Sequence, residues 1–559
     1  MREVNIGTQG FEDLITHNDF YVDKTSFIKE WWENRDNVTL ITRPRRFGKT
    51  LNLDMMSCFF SNRYAGRSDL FEELDIWKDE KYRELQGTYP VIFLSFADIK
   101  ETTYEEARKT IILTLRRLFR QFENLWKNDS YKNDTYTFMN LDLDSSDSVV
   151  CKSLQELSEY LQRVYQKKVL IFLDEYDTPL QEAYVNGYWD EMSSFIRSLF
   201  NSTFKTNPSL ERAMMTGITR VSKESIFSDL NNLTVVTTTS RKYETAFGFT
   251  QEEVNESLQE YDLSDQREMV KEWYDGFTFG KTENIYNPWS IIQFLDNHGE
   301  FQPYWANTSG NALISHELQI ADDSIKSQME DLLNGGTVET EIDEQVIFSQ
   351  LETSPKALWS LFLASGYLKV VSRTFNGRRF RYVLKITNLE VELMFQDLIA
   401  GWFETSGTHY SSFMKSLIKG DCKTAQKNLQ NILLSTASFY DTRKYVSEDD
   451  KPESFYHGLV LGMIALEEEY RITSDRESGY GRYDIMMKPL KKELPGIIIE
   501  FKVFDPDHEK TLEETAERAL IQILEKKYDT ELISEGIPSE QILHYGMAFR
   551  GKDVVIQKQ

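Results

Sequence analysis

At 559 residues the chain is too long for one hydrophobic core, so two to four domains are expected, and 40% hydrophobic, 13% aromatic and 28% charged residues describe folded protein rather than long disorder. With 64 Lys and Arg against 90 Asp and Glu, the net charge of −26 repels a polyanion over most of the surface, which counts against a general DNA-coating protein and leaves a local basic patch or a metal-loaded cleft for such contacts. No apolar run reaches the roughly 20 residues of a bilayer span, the N-terminus lacks the apolar core of a signal peptide, and Cys58, Cys151 and Cys422 are too few and scattered for a disulfide framework or a Cys-rich zinc site, so a cytoplasmic protein with reduced thiols and no membrane partner is expected.

The first strand-like run, residues 38–42, leads directly into Arg43-Pro-Arg-Arg-Phe-Gly-Lys-Thr50, and residues 51–60 continue with helical character. Strand, loop and helix in that order make a phosphate site: loop N–H groups and the helix N-terminus wrap the phosphates, the lysine neutralises them, and the hydroxyl joins Mg²⁺. The candidate nucleotide contacts are therefore Arg45, Arg46, Phe47, Gly48, Lys49, Thr50 and Leu51. Arg43 stands where a first glycine is expected, and its Cβ restricts the tight turn.

Further strands are expected at 90–96, 169–174 and 212–217, with helices over 103–122 and 153–166, the alternation of a parallel α/β sheet. The stretch 128–148, rich in Asn, Asp, Ser and Thr, reads as an inserted loop. Val169-Leu-Ile-Phe-Leu-Asp-Glu175 delivers two carboxylates at the strand end where such sheets place ligands. Asp174 is positioned to hold Mg²⁺ through water and Glu175 to orient or deprotonate the attacking water.

From about residue 249 the pattern is mainly helical, with Thr250 and Glu253 as a capping box and Asn287-Pro288 opening another helix. A hairpin is expected at 367–373 and 380–386, turning at Asn376-Gly377, and the charged stretch 440–452 reads as a linker.

The C-terminal part carries a second chemistry. Asp484 ends the run Gly481-Arg-Tyr-Asp before a strand-like Ile485-Met-Met487, residues 488–495 form a turn, and Gly496-Ile-Ile-Ile-Glu-Phe-Lys502 returns. Alternation along a strand puts Glu500 and Lys502 on one face, and the strand-turn-strand unit brings Asp484 beside Glu500. Two carboxylates suit Mg²⁺ or Mn²⁺, which polarises a phosphate and activates water, and the lysine positions that water or offsets developing charge. Residues 453–467 and 511–528 read as helices on either side.

Phe20-Tyr-Val-Asp-Lys-Thr25, the loop RPRRFGKT, Asp174-Glu-Tyr-Asp-Thr-Pro179, Thr216-Gly-Ile-Thr-Arg220 and Asn287-Pro-Trp-Ser290 together resemble the bacterial AAA-ATPase-like family, over roughly residues 3–310. Members commonly carry a C-terminal PD-(D/E)xK nuclease domain, which the helix-strand-strand-helix run over 450–555 resembles, and they share the arginine at the position of Arg43. The resemblance implies a P-loop NTPase-type parallel sheet with a helical extension, followed by a restriction-endonuclease-like α/β domain, with boundaries at 1–245, 246–440 and 441–559. It implies Thr216 as a polar sensor of the γ-phosphate with Arg220 close by, and leaves Tyr21 and Asp23 to a base pocket or to packing. In the nuclease part it implies an acid from Glu453 or Glu467, leaves His457 to the site or to a cap, and puts a polar residue near the site from Ala519-Leu-Ile-Gln522. The function expected is an ATP-binding and ATP-hydrolysing protein whose nucleotide state regulates a Mg²⁺-dependent nuclease acting on DNA or RNA. The alternatives are an ATP-regulated binding switch without cleavage and a DNA translocase. Self-association and strand preference stay open.

Overall fold

A computed structural model of the chain describes residues 2–127, 136–219, 230–305, 323–342, 354–395, 407–436, 469–504 and 509–559 apart from a few single or paired positions, and scattered residues between them. It divides into two compact units, residues 1–320 with 331–393, and residues 321–330 with 394–559.

The sheet of the first unit is built from β1 (Val38–Thr42), β2 (Val91–Ser95), β3 (Val169–Asp174), β4 (Leu210–Gly217) and β5 (Leu233–Val236), all parallel in the order β2-β3-β4-β1-β5. Every residue of β1 and β3 is buried, because a parallel sheet covered on both faces needs continuous apolar strands. The register aligns Thr42 with Gly217 and Ser95 with Asp174, so the C-terminal ends of β1, β4 and β3 form one rim, where the ligand crevice of such sheets lies.

Helices Tyr104–Arg120 and Asp147–Tyr165 belong to the same unit. The second starts earlier than its sequence periodicity indicates, and the polar stretch before it is not all loop: a 3₁₀ turn, Thr137–Asn140, buries Phe138 against Phe119 and Tyr160. One aromatic anchor outweighs the polar composition around it. The Thr250–Glu253 capping box is formed, and Asn287 caps helix Pro288–Asp296 by accepting from Trp289 N at 2.9 Å. Within this helical region lies a short ribbon that periodicity does not reveal, β6 (Phe277–Phe279) and β7 (Thr282–Ile285), turning at left-handed Gly280. A further sheet, β8 (Val338–Thr340), β9 (Leu368–Phe375) and β10 (Phe380–Ile386), is antiparallel in the order β8-β10-β9, and its hairpin turns at Asn376 and left-handed Gly377.

The second unit carries β11 (Tyr470–Ser478), β12 (Gly481–Pro489), β13 (Gly496–Val503), β14 (Ile542–Arg550) and β15 (Asp553–Lys558), paired in chain order. Only β13 and β14 are parallel, joined through helix Leu512–Lys526. That helix lies close on the sheet: a Cβ at Gly546 would collide with the Ala516 carbonyl, so only glycine fits there. Ile497, Ile499 and Phe501 face a core shared with helices Gly407–Ile418 and Cys422–Thr436, whereas Ile498 faces the other side with Leu520 and Ile523. β12 is longer than the sequence suggests and contains both Asp484 and Lys488, with the turn confined to residues 490–495. β11, β14 and β15 have no counterpart among the elements expected from sequence. The expected 453–467 helix and 440–452 linker fall almost wholly outside the described residues.

Candidate functional sites

The loop after β1 turns through two left-handed residues, Arg46 at φ 66° and Gly48 at φ 76°, before helix Lys49–Phe60 begins. Nothing lies within 4 Å of a Cβ built on Gly48, so glycine is needed there for its backbone conformation and not for room. Lys49 is buried, and its Nζ donates to the carbonyls of Arg43 (3.0 Å) and Pro44 (2.8 Å), which occupies two of its three protons. Burial pushes its pKa down, against the pull of Glu175, Asp174 and Asp177.

Asp174 ends β3 at 1% exposure. Its Oδ2 accepts from Thr50 Oγ1 at 2.8 Å and its Oδ1 from Thr216 Oγ1 at 2.6 Å, so one carboxylate joins the loop helix to the end of β4. Burial raises its pKa, and the two hydroxyls oppose that rise. Glu175 follows in a left-handed conformation, φ 48°, a strained geometry for a side chain of this kind and one that clusters at functional sites.

Asp177 is the residue that sequence reasoning passed over. It is buried, and Oδ2 accepts from Ile218 N (3.0 Å), Thr219 N (2.9 Å) and Thr219 Oγ1 (3.0 Å), clamping the turn after β4. The signal was its place three residues after Asp174, one turn into the same motif. Arg220 lies outside the described residues.

Arg43 fills the place of the missing glycine by turning inward. Its fully buried guanidinium donates to Thr42 O (2.9 Å), Thr237 O (2.8 Å) and Tyr243 O (3.4 Å), and lies 4.5 Å from the Phe279 ring centroid. Burial pushes its pKa down to about 9. Phe47, expected to touch nucleotide, is a buried anchor packed on Phe277 and Phe279 at 4.8 and 5.4 Å, so its side chain holds the loop from below. Arg46 is exposed, its guanidinium 4.3 Å from the Trp289 ring, while the Arg45 carbonyl accepts from Asn287 Nδ2 at 3.4 Å. Leu51 is half-buried in the first turn of the helix. Tyr21 is buried with its OH on Met55 Sδ, and Asp23 accepts from Thr25 and Asp75, so both serve packing and local caps.

In the second unit, the β12–β13 ladder closes at the pair Ile485 and Ile499, and Asp484 then takes the next donor with its side chain, Oδ2 accepting from Phe501 N at 2.6 Å. The strands part at that point, with Asp484 beside Glu500. Glu500, 2% exposed, is on the helix-facing side of β13 with Ile498; its Oε1 accepts from Gln522 Nε2 and lies 3.7 Å from Lys502 Nζ. Gln522 also donates to Tyr528 OH at 3.2 Å. Tyr528 was not foreseen, because the sequence reads as helix through residue 528, whereas the helix ends at Lys526 and left-handed Lys527 redirects the chain. Glu467 is half-buried, and Glu453 and His457 lie outside the described residues. Among the described residues, no three His, Cys, Asp or Glu side chains gather as a metal cluster, and no helix is long and apolar enough to cross a membrane.

Comparison with known proteins matches the two regions that contain these residues. Residues 5–227 match the family model described as predicted AAA-ATPase, and residues 451–559 match that of the PD-(D/E)XK nuclease superfamily. A protein of Azotobacter chroococcum mcd 1, described as an uncharacterized protein in the vnfD 5′ region, is 25% identical over 406 residues, 70% of this chain and 68% of its own length. The chain therefore carries an AAA-ATPase-like domain followed by a PD-(D/E)XK nuclease superfamily domain.

Proposed function

We propose that the protein binds and hydrolyses ATP at the rim of β1, β3 and β4, and that its nucleotide state governs Mg²⁺-dependent cleavage of DNA or RNA in the second unit. The observation that carries the reading is the Thr50–Asp174–Thr216 chain of hydrogen bonds beside Lys49, which joins a loop hydroxyl, a strand-end carboxylate and a neighbouring strand's hydroxyl. A hydroxyl with one carboxylate suits Mg²⁺ carrying several waters, and the Asp484 and Glu500 pair offers two carboxylates for Mg²⁺ or Mn²⁺. The ion, when bound, neutralises phosphate oxygens and lowers the pKa of water.

The chain's own residues do the rest. Lys49 turns its remaining proton to a phosphate oxygen, Thr216 Oγ1 reports the terminal phosphate through Asp174, and Glu175 takes a proton from the attacking water at its carboxylate. In the second unit Lys502 Nζ orients the nucleophilic water and offsets charge on the phosphate, while Gln522 and Tyr528 hold Glu500 in place. The burial of Cys58 and Cys151, which pushes both thiols up to about 12, supports inert thiols.

The test is cleavage of single- and double-stranded DNA and RNA with Mg²⁺ or Mn²⁺, with and without ATP, beside a Glu500→Ala control. Cleavage that depends on Glu500 and changes with ATP is the expected result. Absence of cleavage under every condition would leave the ATP-regulated binding switch.

A further inference from the structure

A chain of net charge −26 carries, in residues 368–386, six basic side chains and no acidic one. This is the β9–β10 hairpin, and its distal part, residues 371–381, is exposed throughout. Four of the six are the arginines at the tip, Arg373, Arg378, Arg379 and Arg381. Two aromatic rings stand among them: Phe375 is 60% exposed and Phe380 43%, with ring centroids 5.0 Å apart, and the Arg373 guanidinium lies 3.6 Å from the Phe380 centroid. Arg379 and Arg381 reach Glu341 and Glu339 at 2.8 and 3.2 Å, pairs open to solvent and worth little. Among the described residues no carboxylate pairs with Arg373 or Arg378.

We propose that this hairpin binds single-stranded nucleic acid, its arginines along the phosphates and its two phenylalanines against unstacked bases. The inference deepens the nucleic-acid reading above and rests on it for the class of partner. Local positive charge is what a polyanion needs to approach so acidic a protein. The exposed rings choose among polyanions: bases offer π faces to rings and guanidinium groups, and an acidic polypeptide does not. A rigid ribbon whose turn is fixed by Asn376 Oδ1, accepting from the N–H groups of Arg378 and Arg379 at 3.2 and 2.9 Å, presents these groups without first being ordered.

The test uses the full chain in EDTA, so that binding is read without cleavage, with fluorescence anisotropy of labelled single-stranded DNA and RNA, duplex DNA, and polyglutamate as competitor. Arg373→Glu with Arg378→Glu is compared with Lys109→Glu with Lys205→Glu, the same charge change at exposed lysines elsewhere. The hairpin pair should lose at least about tenfold in affinity and flatten the salt dependence by about two phosphate contacts, while the control pair loses less than about twofold. Phe375→Ser with Phe380→Ser should weaken single-strand binding about tenfold with an unchanged salt slope. Circular dichroism and thermal midpoints keep these outcomes separate from misfolding. Equal losses in the two charge variants, a duplex preference indifferent to the phenylalanines, displacement by polyglutamate as effective as by oligonucleotide, or no binding by the natural chain would each overturn the proposal. Cleavage retained by hairpin variants with unaltered binding sinks the hairpin and spares the nuclease; hairpin-dependent binding without cleavage does the reverse.

Discussion

Glu390 is fully buried, and its carboxylate accepts from Trp305 N at 2.6 Å and Ser290 Oγ at 2.8 Å. Burial pushes its pKa from 4.5 up to about 7, against both hydrogen bonds. Between those two values the native state keeps a proton that the unfolded chain has released. Its contribution to stability is thus fully present below about pH 4.5 and lost as pH rises through about 7, at most roughly 3 kcal/mol. Glu390→Gln, which can accept from Trp305 N and donate to Ser290, should flatten the pH dependence of urea unfolding between pH 5 and 8 and raise stability at pH 8. Parallel curves for the two proteins would refute this. Also at this scale, Lys49→Ala removes the buried cation of the loop, and nucleotide affinity measured by calorimetry should fall about a hundredfold or more, the factor that ~3 kcal/mol of charged hydrogen bonding represents.

Among the elements, the loop after β1 carries the most informative departure. In the sequence, Arg43 is a misplaced side chain in a turn that wants glycine. In the fold it is a brace, tying β1 to the chain after β5 through the carbonyls of Thr237 and Tyr243, while Pro44 lies against Gly366, where a Cβ would fall 2.8 Å from the proline ring. Restoring the glycine should therefore harm the protein: Arg43→Gly opens a cavity and leaves buried carbonyls without donors, at a cost of roughly 3–5 kcal/mol with no gain in nucleotide affinity. Thermal unfolding and ATP titration of this variant check both halves, and an unaltered midpoint with tighter ATP binding would reverse the assignment. The strands at the rim were legible because a short, continuous apolar run that ends in polar residues is what a strand buried on both faces requires. The ribbon β6–β7 was not, since three or four residues carry no period, and its phenylalanines pack on Phe47 and Arg43, some 230 positions away.

For the whole molecule, the two sites lie in separate compact units, so their chemistries should be separable by substitution. Lys502→Ala should abolish cleavage and leave ATP turnover within about twofold, since its partner Glu500 belongs wholly to the second unit. Lys49→Ala, assayed for cleavage, tests control by nucleotide: a cleavage rate equal to that of the natural chain with and without ATP would exclude it. By itself the sequence determined the two domain classes, because the Gly-Lys-Thr loop after a strand, a strand-end Asp-Glu and a Glu-x-Lys strand are local patterns whose spacing is set by strand and helix geometry. Only the tertiary structure decided how those groups are held. Asp177 closes a turn 41 residues away, Gln522 donates from its helix to both Glu500 and Tyr528, and Arg43 turns inward to a carbonyl 200 residues on. Apart from Gln522–Tyr528, these contacts join segments distant in the chain, and buried polar groups find partners by proximity in space, which no local period encodes.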